Sequence, residues 1–329
     1  MPLISAIIPV YKVAPFAERC ARALMEQTLE DVEFIFIDDA SPDDSIPIIK
    51  RITAQYPQRK VIFLTHELNK GLPAARNTGM EAATGEYIWH CDSDDWPEPN
   101  MLEELYNAAV AAQADYAYCD FYMDFGDARK YMETPSYTDP GQMIKQGFLS
   151  GAMKNNVWNK LVKNSLYRTK HLIRFPEGHS MGEDMTMIPL AMLATRTVRV
   201  PKALYNYSKS NGNAFTNTVP ARHLTDIHYN AARTIAYLAG WKVQDKDRYM
   251  AWFKLNIKLP FLLTGHRSDY KTWCTWYPEA NAYIASNSYL PRRTRLVQQW
   301  ATQGLWPLVW LYAFAINKIY YGMLLRLEK

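Results

Sequence analysis

Tyr87-Ile88-Trp89-His90-Cys91-Asp92-Ser93-Asp94-Asp95 decides the fold, because an apolar run of strand length breaks off there into clustered carboxylates. Such a run, bounded by polar residues, reads as a strand buried on both faces of a parallel sheet. Three more lie upstream, at residues 3–10, 32–37 and 61–64, and another follows at 115–123. Between them the spacing predicts helices over 14–27, 44–56, 71–83 and 99–112. Strand and helix thus alternate through about the first 125 residues, the pattern of an α/β chain with a mostly parallel, doubly wound, Rossmann-like sheet. The alternation then lapses. Residues 126–140 read as a loop, 140–149, 157–164 and 184–194 as short helices, and 197–207 as a strand. The remainder is expected to be helical beyond a boundary near residue 215.

Composition narrows the class. Of 329 residues, 48% are hydrophobic and 21% charged, which is globular and not disordered. A net charge of +4, with no basic run beside aromatics, gives nucleic acid no footing. Cys20, Cys91, Cys119 and Cys274 are widely spaced, as reduced thiols of a cytoplasmic protein would be. No leader segment is expected before the first strand.

In an open α/β sheet, ligands bind beyond the carboxyl ends of the strands. Here those ends carry Pro9-Val10-Tyr11, Asp38-Asp39 and Asp92-Ser93-Asp94-Asp95. Asp92, Asp94 and Asp95 repel one another unless a cation intervenes, and a hard divalent ion, Mn²⁺ or Mg²⁺, would also keep places for substrate phosphates. The competing reading is a polar turn, since Pro97 and Pro99 follow closely. Asp38 and Asp39 sit where a carboxylate could accept from a base N–H or a ribose hydroxyl, whereas Asp43 or Asp44 suits a helix cap. Asn69-Lys70-Gly71 supplies a turn before a helix, and Arg76 within that helix could reach a diphosphate, hold the acidic cluster, or form a surface ion pair. Trp158 could stack on an acceptor sugar or fill the core, the better expectation for so large a ring. His179 could serve a metal or the diphosphate, or neither.

Ile7-Ile8-Pro9-Val10-Tyr11, Gln27-Thr28, Glu33 with Ile37-Asp38-Asp39-Ala40-Ser41, Asn69-Lys70-Gly71, Ala75-Arg76-Asn77-Thr78-Gly79, Gly85-Glu86-Tyr87-Ile88 and Asp92-Ser93-Asp94-Asp95 occur in this order. With Val157-Trp158-Asn159-Lys160-Leu161 and Gly182-Glu183-Asp184, they resemble family 2 of the inverting glycosyltransferases, in members that build bacterial polysaccharides. The resemblance implies the GT-A fold over residues 1–215, with the nucleotide sugar on 1–125, the acceptor on 126–215, and a helical region at 216–329. It implies a UDP-sugar donor held by Pro9, Val10, Tyr11, Asp38, Asp39, Lys70, Arg76, Asp92 and Ser93. Asp94 would be the direct metal ligand, with Asp92 also at the metal but nearer the ribose, and Asp95 in support. Asp184 would be the general base beside Glu183, acting on a saccharide or lipid-linked acceptor. The sequence departs at Lys12, where the family commonly has asparagine, and at Ala40, where glycine is frequent.

Residues 301–317 lack any charged side chain, and 305–316 are continuously apolar between Arg292, Arg293 and Arg295 on one side and Lys318, Arg326 and Lys329 on the other. That is short for a membrane span. It suits a peripheral contact of 292–329 with the inner face of a membrane, or equally a helix packed on its own core or in a homo-oligomer. Two other functions stay in view. A sugar nucleotidyltransferase would want a glycine-rich phosphate loop after the first strand, and Pro9-Val10-Tyr11-Lys12 has no glycine. A non-catalytic saccharide-binding protein would have no reason to keep Asp94 and Asp184.

Overall fold

The structure, a computed structural model, describes residues 1–169, 173–211 and 221–316, so the expected boundary near 215 lies outside the described residues. Two compact units are present: Met1–Gly141 with Asn155–Thr234, and Gln142–Lys154 with Ile235–Lys329. In the first unit the chain runs β1 (Ile4–Val10), α1 (Ala14–Met25), β2 (Val32–Asp38), α2 (Ser45–Thr53), β3 (Lys60–Thr65), α3 (Leu72–Ala82), β4 (Tyr87–His90), β5 (Trp96–Pro97), α4 (Met101–Ala112), β6 (Tyr116–Asp124), β7 (Arg129–Met132), β8 (Lys160–Lys163) and β9 (Thr197–Ser208). Among the described residues these strands form one sheet in the order β3-β2-β1-β4-β8-β6-β9-β5, with β7 on β6.

The pairs β1–β2, β2–β3, β1–β4 and β6–β9 are parallel. All seven residues of β1 are buried, as the uninterrupted apolar run requires. In α1, Ala17, Cys20, Ala21 and Leu24 are buried at the spacing of one helix face. Helix α3 packs on β1 and β2, and α4 packs on β6 and β9. The α/β class is as the sequence predicts, and the parallel run β3-β2-β1-β4 is joined to a mixed part in which β8 pairs antiparallel with β4 and β6, β7 with β6 and β5 with β9.

Four segments differ from expectation. Residues 157–164 do not form a helix: Lys160–Lys163 is β8, an antiparallel strand inserted between β4 and β6. Its mixed pattern Lys-Leu-Val-Lys fits either state, and two waiting strand edges settle it. The 126–140 loop also contains β7, which pairs antiparallel with Phe121–Asp124 of β6. Four residues with two cations carry no apolar alternation, so the pairing leaves no signature. The helix expected at 140–149 is wound as a π-helix over Met143–Leu149. That at 184–194 starts as a 3₁₀ turn, Glu183–Thr186, before the α-helix Met187–Leu193.

Buried Glu33 joins three strands. It accepts from Ser5 Oγ at 2.6 Å, Thr84 N at 2.7 Å and Lys60 Nζ at 2.6 Å. Burial opposes its charge, but these donors outweigh burial and lower its pKa. Gly85 lies so close to β1 that a Cβ would stand 2.5 Å from Ser5 N. Lys12 and Ala40, where the sequence departs from the family, both have φ 54. That left-handed region favours asparagine or glycine, so both departures carry backbone strain.

Ala40→Gly should therefore stabilise the protein by about 0.5–1 kcal/mol, while Gly85→Ala should destabilise it by more than about 1 kcal/mol. Midpoints of urea unfolding on the full chain check both signs.

Candidate functional site

The parallel strands β1, β2 and β4 end on one rim. Val10 is in register with Asp38, and Ile7 with His90. Pro9 and Val10 are buried in the sheet, and Tyr11 emerges from it exposed. Asp38 accepts from Ser41 N at 2.9 Å, and Ser41 Oγ accepts from Lys12 N at 2.9 Å. Asp43 accepts from Ala14 N at 3.0 Å, so the turns after β1 and β2 are tied together. Burial opposes its charge, but donors from Ser41, Ser45 and Ala14 hold its pKa at about 2.

Asp39 turns toward the loop ahead of α3. Its carboxylate accepts from Lys70 N and Gly71 N, both at 2.8 Å, and from Asn69 Nδ2 at 3.0 Å. His66 Nδ1 lies 2.7 Å away, and His66 Nε2 is 2.9 Å from Thr78 Oγ1. Asp39 thereby sets the backbone of Asn69-Lys70-Gly71 and leaves the Lys70 side chain exposed. Gly71, at φ 88, would place a Cβ 3.4 Å from Ser180 Oγ, which brings the loop before Glu183 against this turn.

Arg76 joins the two acidic segments. It is 2% exposed, donates to Asp92 Oδ1 at 2.8 Å, and forms a buried ion pair with Glu183. Next to it, Asn77 clamps the incoming chain: Asn77 Nδ2 donates to Phe175 O at 2.9 Å, and Phe175 N donates to Asn77 Oδ1 at 2.9 Å. Burial works against charge on Arg76, yet the two carboxylates prevail and raise its pKa. Of the roles open to Arg76 in the sequence, the geometry matches the one that holds the acidic cluster.

The carboxylates after β4 face different surroundings. Asp92 keeps 28% of its side chain exposed, whereas Ser93 is buried. Asp94 Oδ2 accepts from Asn211 Nδ2 at 2.8 Å, and burial, then repulsion from Asp92, raises its pKa. Asp95 is buried, with Ser208 N at 2.7 Å and Tyr205 Oη at 2.9 Å as donors. The same Oη accepts from Asp92 N at 3.2 Å. Burial, then Asp94 and Asp92, pushes Asp95 well above the usual carboxylate range. Among the described residues no group of three or more His, Cys, Asp or Glu side chains is arranged to hold a metal. Asp92 and Asp94 are the carboxylates of this segment that could hold an ion, given substrate oxygens to complete its shell.

Glu183 and Asp184 follow Gly182, whose φ of 83 turns the chain into the 3₁₀ segment. Burial raises Glu183 to about 7, against the pull of Arg76. Burial also raises Asp184, with Arg76 and then Lys160 opposing the rise. Lys160, at the start of β8, is buried and donates to Asn156 O and, at 2.8 Å, to Asn159 Oδ1. Burial lowers its pKa to about 7, and the charge of Asp184 resists this. Trp158 is 6% exposed and stacks on Tyr205 at 4.5 Å and on Tyr207 at 5.4 Å, so it fills the core. His179 pairs with Asp226 at 3.2 Å and stacks on Tyr229, while Asn230 Nδ2 donates to His179 O at 3.0 Å. That contact anchors the loop leading to Glu183.

Sequence reasoning does not single out Lys160, Tyr205, His66 or Asn211. Lys160 stands within a quoted motif, where only its burial distinguishes it. The other three have no local signal, because each gains its role from a partner distant in sequence.

The model of Glycosyl transferase family 2 matches residues 5–175. A Bacillus subtilis protein named as an uncharacterised glycosyltransferase, EpsJ, is 32% identical over 282 residues, covering 80% of this chain and 78% of that one. The structure of Staphylococcus aureus TarS 1–349 in complex with UDP-GlcNAc superposes with a TM-score of 0.68 at 18% identity, covering 97% and 92% of the two chains. A mannosyltransferase from Pyrobaculum calidifontis, in complex with GDP-Man and Mn²⁺, gives a TM-score of 0.54 at 16% identity, covering 98% and 88%. At these identities the two structures speak for the fold. The chain belongs to glycosyltransferase family 2, a family of transferases, and has the GT-A fold.

Proposed function

We propose that the protein transfers a sugar, with inversion, from a nucleoside diphosphate sugar to a hydroxyl of a saccharide or lipid-linked saccharide acceptor. One observation carries the reading: buried Arg76 ties Asp92, at the end of β4, to Glu183, next to Asp184. The acidic strand end and the candidate base are thus held on one side chain. A sugar nucleotidyltransferase is set aside by family membership, and the intact acidic pair speaks against a merely saccharide-binding protein.

Asp184 takes the proton of the acceptor hydroxyl as its oxygen attacks the anomeric carbon. The bond from that carbon to the diphosphate oxygen breaks, and its electrons leave with the nucleoside diphosphate. Tyr11, Asp38 and Lys70 are accessible at the strand ends where base, ribose and phosphates would lie, while Pro9, Val10 and Ser93 are buried behind them and Asp39 sets the Lys70 loop. Asp94 with Asp92 would hold Mn²⁺ or Mg²⁺, which supplies charge stabilisation to the departing diphosphate. The fit rests on the donor set, two neighbouring carboxylates after β4: burial first, and then the charge of Asp92, disfavours the ionised form of Asp94, and a cation would relieve the second of these. The UDP-GlcNAc complex of TarS favours a uridine donor.

Incubation with UDP-, GDP- and dTDP-sugars, Mn²⁺ and oligosaccharide acceptors should release nucleoside diphosphate; no release with any donor refutes the reading. Asp184→Asn is expected to keep UDP affinity while slowing transfer by roughly 10²–10⁴-fold. Undiminished transfer would move the base elsewhere.

Asp184 must be ionised to act, so the rate should fall as the pH drops through its raised pKa. Lys160 opposes that rise, and Lys160→Met should shift the acid limb of the pH–rate profile to higher pH. An unchanged limb with a uniformly lower rate would mean that Lys160 serves packing alone.

A further inference from the structure

Helix Trp306–Phe314 contains no charged side chain. Val309 and Ala313, four residues apart, are fully buried and seat it on its own unit, where Trp306 stacks on Tyr270 at 5.2 Å. Outward it presents Leu308, Trp310, Leu311 and Phe314, each 41–56% exposed, and Trp310 stacks on Phe314 at 5.5 Å. A contiguous face of this kind marks an interaction site.

Charge decides what covers it. Helix Arg292–Thr302 packs against Trp306–Phe314 and exposes Arg292 and Arg293. From Ala280 to Ile316 the sequence has Arg292, Arg293 and Arg295 but no Asp or Glu. A second copy meeting this face about a twofold axis would bring the arginines of the 292–295 segment toward one another, which like charges disfavour. Anionic headgroups answer all three, with Trp and Phe at the depth where aromatic rings settle. Among the described residues no helix is long and apolar enough to cross a membrane, and a one-sided apolar face flanked by arginines is the pattern of a helix that lies in the interface.

We propose that the Trp306–Phe314 face docks the protein on an anionic bilayer. The full chain is sedimented with vesicles of phosphatidylcholine alone and of phosphatidylcholine mixed equally with phosphatidylglycerol. Binding should require phosphatidylglycerol and weaken as salt rises. Leu311→Asp, an outward position, should abolish it, and Arg292→Ala with Arg293→Ala should weaken it about tenfold or more. Absence of binding to the anionic vesicles, or equal binding by both variants, overturns the proposal. A dimer in sedimentation velocity that Leu311→Asp splits, with no vesicle binding, overturns it in favour of a second copy. Vesicle binding needs neither donor nor acceptor, so it stands or falls apart from the transfer reaction.

Discussion

The site depends on a guanidinium kept charged in a dry place. A buried cation is costly unless its partners are well placed, and removing one partner leaves an uncompensated charge. Arg76 answers with a carboxylate from each of two distant segments. Its helix is in turn fixed from below, because a side chain at Gly79 would enter Ile7 and Ile37. Asn77, one residue on, clamps Phe175. α3 is therefore a strut: its glycine sets its height on the sheet, and its two polar residues locate the segment that carries Asp184.

The neighbouring acids Glu183 and Asp184 are differentiated by what faces them. Glu183 forms the ion pair with Arg76, while Asp184 has the field of Lys160 as well as that of Arg76. Lys160 arrives on β8, so the strand that splits the parallel run also brings a cation toward the acid pair. Its lowered proton affinity leaves that cation easily neutralised, and burial is the reason. The result is one acid committed to an ion pair and a neighbour that feels the charge of two cations.

Much of this was legible in the sequence. The apolar runs of β1, β2 and β4 are unbroken because both faces of those strands are covered, and the strand ends put the carboxylates on one rim by topology alone. What was hidden has a common cause. β7 and β8 are strands only because partners wait for them, and the 3₁₀ start at Glu183 rests on one positive-φ glycine. Asp38 and Asp39 look alike in sequence, yet Asp39 is enclosed by four donors from the α3 loop and His66, while Asp38 makes one local turn bond. The difference lies in a loop some thirty residues away, which no local pattern records.

The insertion of β8 also bears on how the chain emerges from a ribosome. Among the described residues β4 and β6 do not pair directly, so the edges they turn toward β8 stay open until Lys160–Lys163 has been synthesised. An unpaired strand edge in a nascent chain is a template for the wrong partner. The interval over which this domain needs protection during translation is therefore set by two late arrivals, β8 and then β9, which closes the other edge of β6.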